Sequence, residues 1–308
     1  MVRPRPEIER ALAFIAAHLE EPLTAADVAR SARMSEFHFQ RAFHDALGET
    51  VGQFVTRKRL ETAALRLAYE PGSSITEIAL SSGYSSSSNF GKAFAGYFGT
   101  NPSEVRRPGG KVSLQVSKLL ARYGKSFEPR ALYTLPEEPD AQAFRAEVDF
   151  WNERVRFETS EGRHFVCLAS PGGYDLEALR ATWDELIARC RQLGFCRDEV
   201  DAWGLALDSP ELTAPERCRY HACVPRAAGA TPPAPLFNGV MQAGRYAVFR
   251  YRGPVVGISA AYRSIYSCWF RASSVMPEDF TPLDHYVTDE PRDGAIDMEM
   301  WFRIRPQR

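Results

Sequence analysis

Between Glu36 and Leu47 the chain reads EFHFQRAFHDAL, and Phe37, Gln40, Arg41 and His44 recur at i, i+3, i+4 and i+7, one face of a helix. Side chains of these types suit base-edge recognition. A guanidinium reads guanine O6 and N7, a carboxamide reads adenine N6 and N7, and an aromatic ring meets a thymine methyl. His38 and His44 read as a solvated helix face. About fifty residues later stand Ser87, Ser88, Asn89 and Lys92, three of them short and uncharged. Arg57, Lys58, Arg59, Arg106 and Arg107 are candidates for phosphate contacts, and each taken alone is equally a solvated surface charge.

Enzymatic chemistry is poorly represented. No Ser/His/Asp or Cys/His arrangement and no phosphate-binding loop stands out, so no catalytic residue is expected. None of the six cysteines forms a C-x-x-C pair and no His spacing completes a zinc pattern, so neither metal nor cofactor is expected. The cysteines read as small buried hydrophobes, reduced in the cytoplasm.

The elements that must position these residues follow from length and patterning. The 308 residues are 44% apolar and 25% charged, which suggests two or three domains with cores of their own and excludes a disordered tail protein. No apolar run approaches the roughly 18 residues of a bilayer span, so no membrane partner is expected. Arg3 and Arg5 precede the run Ala11–Leu19, but His18 and Glu20-Glu21-Pro22 break the pattern of an export signal. The chain carries 38 basic and 39 acidic residues, and residues 1–108 carry 13 and 12. A polybasic nucleic-acid coat is thereby excluded. Any recognition of DNA must rest on placed side chains.

From Glu7 to Arg107 the pattern is helical. Ile8, Leu12, Ile15 and Leu19 form one apolar stripe, Thr24-x-x-Asp27 and Ser74-x-x-Glu77 read as capping boxes, and Gly52 to Ala68 forms a connecting helix about 25 Å long. Two copies of one motif flank that helix. Asp27-Val28-Ala29 matches Glu77-Ile78-Ala79, Met34-Ser35 matches Tyr84-Ser85, and Phe39, Phe43, Leu47 and Gly48 match Phe90, Phe94, Phe98 and Gly99. Each copy is a helix, a short turn and a second helix that Ser35, and Ser85 or Ser86, can cap. This is the layout whose second helix enters the major groove. Two such helices can address successive groove turns about 34 Å apart.

The run from Ile75 to Ser85, with Phe90, Phe94, Phe98-Gly99 and Asn101-Pro102-Ser103-Glu104-Val105-Arg106, closely resembles the DNA-binding domain of the AraC/XylS regulators. The resemblance covers residues 7–107 and places Phe37, Gln40, Arg41, Ser87, Ser88, Asn89 and Lys92 at base-reading positions. It implies a double-stranded DNA operator, RNA polymerase as a further partner, and a cytoplasmic, nucleoid-associated location. Two positions depart from the pattern. Arg33 replaces the usual turn glycine, so that turn must hold it in an unfavourable backbone region or use a different geometry, and Lys92 replaces an arginine and lacks its bidentate fork. Gly91 and Gly96 lie inside the second reading helix, each costing up to about 1 kcal/mol relative to Ala.

Beyond Pro108-Gly109-Gly110 the composition changes. Residues 109–152 read as a linker with one short helix near Leu114–Tyr123, and 153–308 as an α+β domain. Strands are expected at Phe165–Ala169, Arg245–Tyr251, Pro282–Thr288 and Met298–Ile304, and helices at Leu176–Leu193 and Val256–Phe270. A duplication offset by about 80 aligns Ala181-Thr182-Trp183 with Ala260-Ala261-Tyr262 and Asp208-Ser209-Pro210 with Asp289-Glu290-Pro291, so two halves can pair about a pseudo-two-fold axis. The runs Gly244–Pro254 and Thr213–Tyr220 resemble the GyrI-like effector-binding domain. That resemblance implies a cationic or aromatic small-molecule effector held by aromatics around a buried acid, here Asp284, with Tyr286 on the same strand face. Tyr174, Trp183, Trp203 and Tyr262 are further lining candidates, though buried aromatics are more often core. On the last strand Glu299 and Trp301 alternate with core residues and face either the cleft or water. A multidomain chain is thus expected, an all-α double helix-turn-helix domain followed by a GyrI-like domain of two pseudo-symmetric halves. A hydrolase and a protein-interaction module remain the alternatives for the rear domain.

Overall fold

The computed structural model describes residues 5–106, 141–196, 200–209, 212–213, 217–227, 229, 231–287 and 295–306. The front region contains α1 (Pro6–Ala17), α2 (Ala25–Ser31), α3 (Glu36–Leu47), α4 (Val51–Tyr69), α5 (Ile75–Ser81), α6 (Ser87–Phe98) and α7 (Pro102–Arg106). Local chemistry starts these helices. Thr24 and Asp27, and likewise Ser74 and Glu77, exchange side-chain and backbone hydrogen bonds as expected; Thr50 and Gln53 form a third such box at the head of α4. Ser86 caps α6, whereas Ser35 bonds the His38 ring at 2.9 Å and does not cap α3. In the first turn Arg33 holds φ 58°, the left-handed conformation that Gly83 (φ 77°) supplies in the second.

Two separate cores result. Ile8, Leu12, Ile15, Val28, Phe39 and Phe43 pack with Val51, Phe54 and Val55 of α4, while Ile78, Phe90, Phe94 and Phe98 pack with Leu60, Ala63, Ala64 and Leu67 of the same helix. Each fully buried phenylalanine contributes about 2–3 kcal/mol. The connecting helix is therefore a shared beam, about 28 Å long at 1.5 Å per residue, its first half in one core and its second half in the other.

The expected helix at Leu114–Tyr123 lies outside the described residues. Within the stretch read as linker up to 152, α8 (Ala141–Asn152) is helical. Its Trp151 is buried against Phe249 and donates a 2.8 Å hydrogen bond to Ser264, so this helix is part of the rear core. The strands are β1 (Val155–Ser160), β2 (Arg163–Ala169), β3 (Ala202–Ala206), β4 (Tyr220–Pro225), β5 (Phe237–Met241), β6 (Gly244–Pro254), β7 (Val275–Pro277), β8 (Leu283–Tyr286) and β9 (Ala295–Pro306). Two helical segments cross the sheet. One is α9 (Leu176–Gln192); the other is α10 (Ile258–Ser264), which runs on through a π-helical turn at Ile265–Trp269.

The sheet order β1-β6-β9-β8-β3-β4-β2-β5, antiparallel throughout, shows the duplication in space. Strands β3 and β8 meet at the centre, and Gly204 lies opposite Asp284, its counterpart at the 80-residue offset. The pseudo-two-fold axis passes through that pair. Strands β1 and β5 are exchanged between the halves, each pairing with the other half's second strand. Strand alternation separates two faces. One carries both helices over Val166, Leu168, Tyr220, Met298, Met300 and Phe302; the other buries Phe165, Cys167, Trp203, Tyr246 and Leu283.

Candidate functional site

In the first reading helix Phe39 and Phe43 turn inward and Phe37, Gln40, Arg41 and His44 stay exposed, Phe37 at 77%. Gln40 donates to Glu36 at 3.0 Å, which holds its carboxamide along the helix. In the second, Ser87, Ser88, Asn89 and Lys92 are exposed and Phe90, Phe94 and Phe98 are buried. Both expected surfaces therefore face outward with the rear domain present.

The phosphate candidates fare differently. Arg57 is 6% exposed, and both ends of its guanidinium are taken by carboxylates, Glu49 at 2.6 Å and Glu61 at 3.1 Å. Burial alone would lower its pKa, but the two acids outweigh it and hold the charge firmly. Arg57 thus staples α4, and the expectation that it meets phosphate is corrected: a buried cation bound to two buried carboxylates is not presented to a phosphate at the surface. Lys58 is bound to Asp208 at 2.8 Å, and Arg59 donates to the Leu19 and Glu21 carbonyls beneath Gly83. Arg106 is half-buried and donates to the Pro71 and Ser73 carbonyls at 3.1 and 2.6 Å, which anchors α7. Arg107 lies outside the described residues.

On the helix-bearing face of the rear sheet, Asp284 is 5% exposed and receives a hydrogen bond from the Tyr262 hydroxyl. Burial raises its carboxyl to about 7, against the lowering by Tyr262. Tyr286, two residues on, shares a 2.8 Å hydrogen bond with Tyr220 and meets the Trp183 ring edge-on at 5.6 Å. Tyr220 reaches across β3 only because residue 204 is glycine; a Cβ there would collide with its hydroxyl. Burial pushes the Tyr220, Tyr262 and Tyr286 phenols upward, so all three remain neutral donors at ordinary pH. The result is one acid among neutral hydroxyls and aromatic rings. A carboxylate so placed gains most from a cation that brings its own apolar surface. Sequence reasoning missed Tyr220, and the glycine facing Asp284 was the available signal.

The other expected effector residues do not join this cluster. Trp203, Glu299 and Trp301 project from the opposite face, because they sit at odd steps from Asp284 and Tyr286 along paired strands. There Glu299 receives both Arg156 guanidinium nitrogens at 2.8 and 2.9 Å, and His285 bridges Glu299 at 3.3 Å and Asp201 at 2.9 Å. His285 stacks on Trp203 at 4.4 Å, and Trp203 contacts Trp301 at 5.4 Å. Burial would lower the His285 pKa, yet Asp201 and Glu299 raise it to about 9; burial would raise Glu299, yet His285 and Arg156 hold it at about 2. This is a saturated ion network. Tyr174 lies on the helix side behind Tyr220, but its hydroxyl is committed to the backbone of Asp208.

Among the described residues no cluster of three or more His, Cys, Asp or Glu side chains is arranged to hold a metal, and no helix is long and apolar enough to cross a membrane. The fold and its surfaces define a class: two helix-turn-helix units on one beam, joined to a two-fold sheet domain with a single buried acid on its axis. Comparison with known proteins agrees. A family described as a helix-turn-helix domain matches residues 28–108, and the GyrI-like small molecule binding domain matches residues 153–305. Right origin-binding protein of Escherichia coli strain K12 is 36% identical over 98 residues, 31% of this chain and 33% of that one. Regulatory protein SoxS of the same strain is 33% identical over 101 residues, 32% of this chain and 92% of SoxS. A solved AraC-type regulator from Chromobacterium violaceum shares 30% identity over 33% of this chain and 89% of its own, with a TM-score of 0.31. The match thus spans about a third of the length of Right origin-binding protein. The chain belongs to the AraC-type helix-turn-helix regulators and carries a GyrI-like small-molecule-binding domain behind its reading domain.

Proposed function

We propose that the chain is a sequence-specific DNA-binding transcription regulator that reads successive major-groove turns with α3 and α6 and is modulated by a hydrophobic, cationic small molecule held at Asp284. One observation carries the DNA reading: in both copies the repeated phenylalanines are buried while Phe37, Gln40 and Arg41, or Ser87, Ser88, Asn89 and Lys92, are left exposed. Such a regulator works in the cytoplasm on the nucleoid, with RNA polymerase as the partner through which bound protein acts. Asp284 and Glu299 project from opposite faces of the sheet, and Glu299 is held by Arg156 and His285, so the two do not form a carboxylate pair, which favours sensing over hydrolysis. Selection of duplexes from a random library with the full chain tests the reading, with a motif of about 15–20 base pairs expected for two groove turns. Arg41→Ala should cost about 1–3 kcal/mol of specific affinity and relax one base position, and Ser87→Ala should cost less. Failure to enrich any motif would overturn the regulator reading.

A further inference from the structure

The rear domain grips both helix-turn-helix units at once. Along α4 the first core ends at Val55 and the second begins at Leu60, so Arg57 and Lys58 mark the seam between them. Asp208, whose side chain is fully buried, docks on that seam. It receives Lys58 Nζ at 2.8 Å and Arg219 Nε at 2.8 Å, and the Arg219 guanidinium lies 5.0 Å from the centre of the Phe54 ring. Lys58 also donates to the Leu207 carbonyl at 3.2 Å. Toward the first unit Arg217 contacts Glu49 at 3.4 Å and His221 lies 3.1 Å from Glu9. Toward the second, Leu212 packs on its core, Tyr69 stacks on Tyr266 at 5.2 Å, and Arg305 contacts Glu70 at 3.5 Å.

The same aspartate is held by a row of tyrosines that ends at the effector cluster. Tyr174 donates to the Asp208 carbonyl at 2.5 Å and accepts from its N–H at 3.3 Å, which fixes the backbone carrying the carboxylate. The Tyr174 ring meets Tyr220 edge-on at 6.4 Å, and Tyr220 bonds Tyr286 beside Asp284. We propose that the rear domain is a splint that fixes the spacing of the two reading helices, and that the row Tyr286–Tyr220–Tyr174 couples its grip on Lys58 to the Asp284 cluster. This inference rests on the proposed function. The docked form is the DNA-competent one, since its reading residues stay exposed; a ligand that draws Tyr286 and Tyr220 out of their mutual bond weakens the grip. Such a ligand acts only through its different affinities for the gripped and released forms.

The test uses the full chain and hydrogen exchange along α4, with operator affinity as a second readout. Lys58→Met should speed exchange about tenfold near residues 57–64, Tyr174→Phe about fivefold although it does not touch α4, and Tyr286→Phe about twofold, the scale of one hydrogen bond or less. Affinity for the selected duplex should fall in the same order, and the Lys58→Met, Tyr174→Phe double variant should lose less than the product of the two. Unchanged α4 exchange in Lys58→Met, or tighter DNA binding by it, would overturn the splint. A response confined to Lys58→Met would overturn the tyrosine link. If Tyr174→Phe melts the rear domain, Tyr286→Phe decides that link. A chain that selects no duplex while α4 exchange responds as expected refutes the DNA reading and leaves the splint standing.

Discussion

Asp208 and Asp284 are both buried acids of the rear domain, 4% and 5% exposed, and they face opposite electrostatic situations. Asp208 meets Lys58 and Arg219, and although burial opposes ionisation, the two cations hold its carboxyl well below the usual range. Asp284, among the described residues, meets the Tyr262 hydroxyl and no cation, and burial pushes it up to about 7. Burial therefore does not assign a role to an acid. The neighbours do: Asp208 is ion-paired with Lys58 of α4 and with Arg219, whereas the hydrogen bond that Asp284 receives comes from a neutral hydroxyl.

The largest expected effect separates the two. Asp208→Ala leaves Arg219 and Lys58 without their buried partner and should destabilise the chain by about 3–5 kcal/mol in chemical denaturation. Asp284→Asn should be nearly neutral at pH 5; a comparable loss there would erase the distinction.

Next in size is a pH effect. The Asp284 carboxyl titrates near 7 when folded and near 3.9 when unfolded, so the folded chain holds an extra proton between those values. The associated stability is fully present below about pH 4 and is lost as pH rises through about 7, on the order of 4 kcal/mol across the window. Wild type should therefore weaken relative to Asp284→Asn between pH 5 and pH 8, and parallel profiles would mean that the acid is already ionised. Binding of a lipophilic cation should run the other way, strengthening about tenfold per unit up to pH 7 and then levelling off.

Two smaller substitutions sharpen the contrast. Gly204→Ala drives a methyl group into the Tyr220 hydroxyl and should cost about 1–3 kcal/mol in thermal melting, since the row cannot repack without leaving Tyr286. Tyr262→Phe removes the donor that favours the Asp284 anion. Its titration, followed by carboxyl NMR, should move upward by about one unit or less, and a downward move would show that Tyr262 does not stabilise the charge.

Much of the front region was legible because its signals are local. The capping boxes at Thr24 and Ser74, the strained turn at Arg33 and the inward phenylalanines each depend on residues within one or two helical turns. The rear domain was legible at the level of strands, helices and duplication, and the effector residues only partly so. Asp284 and Tyr286 share a face by alternation along one strand. Assigning Trp203, Glu299 and Trp301 to the same face required knowing strand register, and a one-residue difference in register reverses the face. Two of the phosphate candidates, Arg57 and Lys58, are spent inside the protein for a related reason. Arg57 and Lys58 look like any solvated pair until Glu49, eight residues back, and Asp208, 150 residues on, are brought beside them.

Sequence alone indicated the two reading helices, the beam between them and the duplicated rear half, because caps, periodicities and repeats are patterns along the chain; Asp284 came from the resemblance to the GyrI-like domain, and strand register put it on the axis. Tertiary structure alone decided which charges are spent inside the protein and which face its partners. A charge is defined by what lies within a few ångströms of it, and for Arg57, Lys58, Asp208 and Asp284 those neighbours come largely from elements that only the folded chain brings together.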